Sequence, residues 1–138
     1  MKIVVATHNR DKCREILSEC SGYAVTLATL IEFPDIGEIE ETGITLEENA
    51  ILKAKTVHSL TQLPAIADDT GLEVDYLGGN PGVFTARYAG ENCTYMDNVN
   101  KMLKVMKNVD NKDRNATFKT VMAYIDSKTE LFSQGIVK

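Results

Sequence analysis

Apolar and polar positions change their spacing several times along the chain, and each change predicts an element. Residues 2–6, KIVVA, are a β-branched apolar run that predicts a buried strand. After Thr-His-Asn the spacing becomes helical, with Cys13, Ile16, Leu17 and Cys20 on one side and Gly22 as the stop. Residues 23–28, YAVTLA, predict a second strand. Residues 31–49, IEFPDIGEIEETGITLEEN, hold seven acids and no Lys or Arg, and predict mostly loop. Thr45 and Glu48 form a T-x-x-E box that opens the next helix. Leu46, Ala50, Ala54 and Val57 make its buried stripe, with Ile51 and Leu60 at the margin, while Asn49, Lys53 and Thr56 share another face.

Residues 64–68 and 71–77 predict two strands, interrupted at Asp68-Asp69-Thr70-Gly71, and LGGNPG at 77–82 predicts a turn. Thr94 with Asp97 caps a third helix, whose inner stripe is Tyr95, Val99, Met102, Leu103 and Met106. Lys101, Lys104 and Lys107 fall on its solvated face. Residues 115–126 and 130–137 predict a hairpin across Asp-Ser-Lys-Thr-Glu. Strands and helices alternate early, which favours an α/β fold. The chain shows no repeat and no low-complexity linker, so 1–138 is expected to be a single domain.

Composition narrows the function. The 138 residues carry a net charge of −5, with a pI near 5.0. A general nucleic-acid binder would be basic, so no nucleic-acid partner is expected. A nucleotide enzyme needs only a few well-placed cations. Three cysteines, Cys13, Cys20 and Cys93, cannot all pair within one chain. Cys13 and Cys20 share the helix stripe of Ile16 and Leu17 and read as buried thiols of a reducing compartment. With no apolar run long enough to span a membrane and no signal peptide, the expectation is a cytoplasmic protein with no membrane partner.

Four segments could carry chemistry. In VVATHNRDK, residues 4–12, a helix begins directly after a strand, where free N–H groups and the helix dipole favour phosphate. Thr7 and Asn9 offer short polar groups and Lys12 a mobile cation. The plain reading is Asn9 as a cap and Lys12 as a solvated residue. In EETG, residues 40–43, Glu40 or Glu41 could supply an oxygen to a hard divalent cation such as Mg2+. The plain reading is a solvated acidic loop. Lys53 could reach a phosphate; the plain reading, favoured by the residue alone, is an exposed helix lysine. Asp68 and Asp69 lie at the carboxyl end of a buried strand, where α/β sheets place ligands. Because strand side chains alternate, one acid would face the site while the other anchors the turn, unless the four residues are simply a turn. Arg87, flanked by small and aromatic residues, offers a guanidinium for phosphate or carboxylate, or for a structural ion pair. His8 and His58 lack a second ligand at metal spacing.

Taken in order, VVATHNRDKCREI, EETGITLEENAILKA and PAIADDTGLEVDYLGGNPGVFTARYAG resemble the inosine triphosphate pyrophosphatase family over residues 1–126. The resemblance implies an elongated mixed β-sheet with flanking helices and a nucleotide cleft between lobes. It implies Mg2+-dependent hydrolysis of deaminated purine nucleoside triphosphates (dITP, ITP, XTP) to the monophosphate and pyrophosphate, and a homodimer. By residue, it implies triphosphate binding by Thr7, His8, Asn9, Arg10, Asp11 and Lys12, and substrate contact by Thr70. Glu41 and Asp69 would hold the metal, Asp69 would be the base and Lys53 would act on the phosphates. The family continues with Gly-[FY]-Gly-Tyr-Asp-Pro, a Lys and Ser-His-Arg, which help grip base and phosphates; none occurs here. The apolar ending ELFSQGIVK reads as a cut, leaving a catalytic part without its base-recognition segment. The competing expectations are a nucleotide-binding or assembly module without turnover, and a related pyrophosphatase of other nucleotides.

Overall fold

The computed structural model describes all residues, Met1–Lys138. Its sheet has six strands. β1 (Lys2–Val5), β2 (Thr26–Thr29), β3 (Ala65–Val74), β5 (Ala116–Ile125) and β6 (Glu130–Val137) run in the order β2-β1-β3-β5-β6, and β4 (Pro81–Gly82) pairs with β3. β1 is parallel to β2, from Lys2 opposite Thr26 to Val5 opposite Thr29, and parallel to β3 through Val4 and Val5. β4 runs antiparallel to β3, so the sheet is mixed. Parallel neighbours need long crossovers. Helix α1 (Arg10–Glu19) lies in the first, and the acidic loop with α2 (Leu46–Thr61) forms the second.

Residues cluster into two compact units. One comprises residues 1–69 and 121–133, the other residues 70–120 and 134–138. The first has its core in the β-branched run of β1, with Val4, Val5 and Ala6 fully buried, and in Ala50, Ala54 and Val57 of α2. Each fully buried valine contributes about 1.5–3 kcal/mol relative to exposure. The second has a smaller core of Val74, Met106 and Val109, packed by Leu72, Leu77, Met102 and Ala116.

Several expectations are corrected. The two expected strands are one: β3 runs unbroken through both acids and ends at Val74, with Asp75–Leu77 in a 3-10 turn. The strand can carry them because each has a partner, as described below. α1 ends at Glu19, with Cys20 as its cap, rather than at Gly22, and buries no residue fully, with Leu17 exposed. The three thiols are free and half-buried. β2 begins at Thr26, leaving Tyr23 exposed. At the start of α2 the Thr45 hydroxyl accepts from the Glu48 N–H, but the Glu48 carboxylate takes the Ile44 N–H, so only half of the expected box forms.

α3 (Tyr95–Val105) has the full reciprocal box between Thr94 and Asp97. Its expected inner stripe is only partly inside: Met106 is buried and Met102 half-buried, while Tyr95, Val99 and Leu103 are exposed. The small core of this unit reaches only the last turn of the helix. There Arg114 donates to the carbonyls of Met106 and Val109 at 2.8 and 2.9 Å, satisfying acceptors that a helix end leaves open. Lys101 is not simply solvated, since its ammonium sits 4.3 Å from the Tyr88 ring centroid. The hairpin forms as expected, its turn tied by the Asp126 carboxylate accepting from the N–H groups of Lys128 and Thr129.

Candidate active site

The chemistry-bearing side chains of the first unit come from three places: the β1–α1 junction, the acidic loop with α2, and β3. At the junction the Thr7 hydroxyl accepts from the Asn9 N–H at 3.1 Å. The Asn9 side chain then accepts from the N–H groups of Asp11 and Lys12, at 3.0 and 3.2 Å. Asn9 is therefore the N-cap of α1, and two of the N–H groups expected to face phosphate are occupied by it. Asp11 pairs with Arg14 on the exposed surface. His8 Nε2 lies 3.0 Å from the Gly37 carbonyl oxygen. Thr7, His8 and Arg10 line an open cavity of about 470 Å3 together with Leu17, Leu30 and Ile31.

Lys12 leaves the first turn of α1 toward β3. Its Nζ is 2.7 Å from Asp68 Oδ2, and the Asp68 carboxylate is almost wholly enclosed. Asp68 is thus the buried end of an ion pair, not a turn anchor. The thiol of Cys13, one residue on, is pushed up by burial and secondly by the Asp68 charge.

From α2, Lys53 reaches the acidic loop: its Nζ is 2.6 Å from Glu41 Oε1, with the lysine buried and the glutamate half-buried. A lysine so enclosed needs its partner, because an unpaired buried charge is costly. Asn49, one turn earlier on the same helix, is fully buried and donates from Nδ2 to Asp69 Oδ2 at 3.1 Å.

Asp69 is 5% exposed, and its carboxyl is held above the ordinary carboxylate range. Burial is the largest cause and the Glu41 charge the next; Lys53, the Asn49 amide and Lys12 oppose them. Glu41 and Asp69, 28 positions apart in the chain, therefore lie close enough to repel, with both ammonium groups in range. The structure thus brings together Lys12, Glu41, Lys53, Asp68 and Asp69. Thr70 begins the other unit, where its hydroxyl lies 2.9 Å from that of Thr120. Arg87, also in that unit, lies over the Phe84 ring, 5.1 Å from its centroid, rather than against a carboxylate. Asn49 was visible in the sequence as a polar position beside Lys53, but its bond to Asp69 was not.

Two mutually repelling carboxylates are a donor set that suits a hard cation. No three His, Cys, Asp or Glu side chains gather into a ready-made cage. Mg2+ fits such a place, since it takes one or two protein carboxylates and completes its shell from water and phosphate.

Comparison with known proteins adds four findings. The profile of the Ham1 family matches residues 3–138. A dITP/XTP pyrophosphatase of Thermoanaerobacter pseudethanolicus is 45% identical over 135 residues, covering 98% of this chain and 68% of the relative. That of Caldanaerobacter subterraneus is 42% identical over 139 residues, covering 100% and 70%. The solved HAM1 protein of Coxiella burnetii superposes with a TM-score of 0.87 at 37% identity, covering 99% of this chain and 70% of that one.

Proposed function

The chain belongs to the Ham1 family, and from that premise we propose that it hydrolyses deaminated purine nucleoside triphosphates, dITP, ITP and XTP, to the monophosphate and pyrophosphate. The observation that carries this reading is the gathering of Lys12, Glu41, Lys53 and Asp69 in one unit. Each part has a use in cleaving a polyphosphate. Lys12 and Lys53 now rest on Asp68 and Glu41. Phosphate oxygens are equally good acceptors for an ammonium, so an incoming triphosphate exchanges for these carboxylates and frees Glu41 toward Asp69.

Glu41 and Asp69 are the residues that would hold Mg2+. When bound, the ion supplies a divalent charge opposite the phosphate oxygens. Asp69, beside the cation, would orient a water and take its proton; because a cation on a carboxylate lowers its basicity, positioning the water is the larger part of that role. The water oxygen bonds to the α-phosphorus. The bond from that phosphorus to the bridging oxygen breaks, pyrophosphate leaves with the electron pair, and the proton passes to Asp69. Two lysines at the phosphates offset the net charge of −5 where it matters.

We extend the proposal to the setting. No helix is long and apolar enough to cross a membrane, and three free thiols suit the reducing cytoplasm. A homodimer is supported by the exposed apolar face of Met96, Val99 and Leu103 on α3.

The test is pyrophosphate release from dITP with Mg2+, alongside calorimetry with the same pair. Release at enzymatic rates supports the reading. Binding without release favours a module without turnover. Equal rates on dITP, XTP, dUTP, dTTP and GTP would contradict the preference for deaminated purines.

A further inference from the structure

Asn49 has no assigned role, yet it is the one uncharged polar side chain fully enclosed in the protein. Both ends of its amide are used. Oδ1 accepts from the Gly43 backbone N–H at 2.7 Å, and Nδ2 donates to Asp69 Oδ2 at 3.1 Å. The orientation of the amide is dictated by its neighbours. A backbone N–H can only donate, so the carbonyl end must face Gly43 and the NH2 end must face the carboxylate.

The approach of Gly43 depends on its having no side chain. A Cβ there would fall 2.6 Å from Asn49 Oδ1 and 2.7 Å from Glu48 Cβ, distances that real Cβ atoms do not show. Glu41 stands two residues before Gly43. One buried amide therefore joins the loop bearing one carboxylate to the strand bearing the other.

We propose that Asn49 is a positioning residue, holding the Glu41 loop and the Asp69 side chain in a fixed relation so that the two carboxylates meet one cation. The proposal rests on the reading of Glu41 and Asp69 as the cation-holding pair. The physical need is plain. Two like charges repel and the loop is irregular; Lys53 ties Glu41 to α2, and Asn49 is the tie that also reaches the Asp69 side chain on β3. A neutral amide supplies the tether with no charge added, and its loss would leave the half-buried Gly43 N–H without its acceptor.

Asn49→Leu is close in size and lacks both bonds. It is expected to weaken Mg2+ binding, measured by calorimetry with the metal alone, by roughly 10- to 100-fold, the usual cost of losing a partner behind a metal ligand. Gly43→Ala keeps Asn49 but drives a methyl group against its oxygen. It should give a loss of similar size, and the double variant should be no worse than the worse single, because both break one connection. Independently of metal and turnover, the Gly43 amide of the wild type should exchange slowly with solvent. In Asn49→Leu it should exchange as fast as its loop neighbours.

A folded Asn49→Leu with wild-type Mg2+ affinity would overturn the proposal, as would losses that simply add in the double variant. Should Asn49→Leu not fold, Gly43→Ala and wild-type exchange decide the matter. Rapid exchange at Gly43, or unchanged affinity in Gly43→Ala, would then overturn it. A wild type that neither binds Mg2+ nor releases pyrophosphate defeats the reading of the site itself. A wild type that does both, beside an indifferent Asn49→Leu, defeats the tether alone.

Discussion

Lys53 is the residue whose setting says most about the site. Its stem is buried and its ammonium is opposed by one half-buried carboxylate, Glu41. Lys53→Met keeps the packing of the stem and removes the charge. Loss of one pre-placed charge at a reacting centre is expected to lower kcat/KM for dITP by roughly 10²–10³, read by a pyrophosphate-release assay. Asp69 makes a second prediction, about stability. Its carboxyl titrates above the ordinary range in the fold, so its favourable contribution is complete at low pH, below the unfolded value. That contribution is lost as pH rises through the folded value. At neutral pH, above the unfolded value, Asp69 therefore burdens the metal-free protein. Asp69→Asn should melt at a higher temperature than the wild type at pH 7, and the gap should close on acidification. Of these residues, Lys12 and Lys53 were candidate cations by type and position, whereas the choice of Glu41 over Glu40 and of Asp69 over Asp68 came from the family resemblance. The partnership of Asp68 with Lys12, across 56 positions, was not legible. Local pattern reports what a residue is near along the chain, whereas this pair depends on where β3 lies against the start of α1.

At the scale of elements, caps and surface pairs should behave differently. Thr94→Ala removes one side of the reciprocal box that starts α3, and should cost about 1 kcal/mol in urea unfolding. Lys55→Ala breaks a pair with Glu130 whose two side chains are each about half exposed. Such pairs are typically worth about 0.2–1 kcal/mol, so the change should be the smaller of the two. The strands of β1 and of the C-terminal hairpin were legible because β-branched runs and an Asp-Ser-Lys-Thr-Glu turn are local signals. α2 was legible from its stripe, since Leu46, Ala50, Ala54 and Val57 are all buried. The unbroken course of β3 was not legible, because two acids and a glycine mark a turn by composition. Here Lys12 and Asn49 supply the partners that let those acids stay in a strand. The stripe of α3 misled for the opposite reason. Apolar periodicity shows which face avoids water and not which surface covers it, and the core of its unit meets only Met102 and Met106.

For the molecule as a whole, the α/β class followed from the alternation of elements and the mixed sheet from the family resemblance, whose motif blocks agree with the match over residues 3–138. The exposed α3 face leads to an expectation at this scale. If it joins two copies, Val99→Lys should shift the mass measured by light scattering from dimer to monomer while leaving the fold intact; an unchanged mass would remove that face from the interface. The central claim concerns the site of the first unit and has a direct test. Pyrophosphate release from dITP in the presence of Mg2+ is compared for this chain and its Asp69→Asn variant. Rapid release by the wild type with a fall of at least roughly 100-fold in the variant, a customary cost of removing a general base, is the predicted result. Equal release by the two would contradict the account.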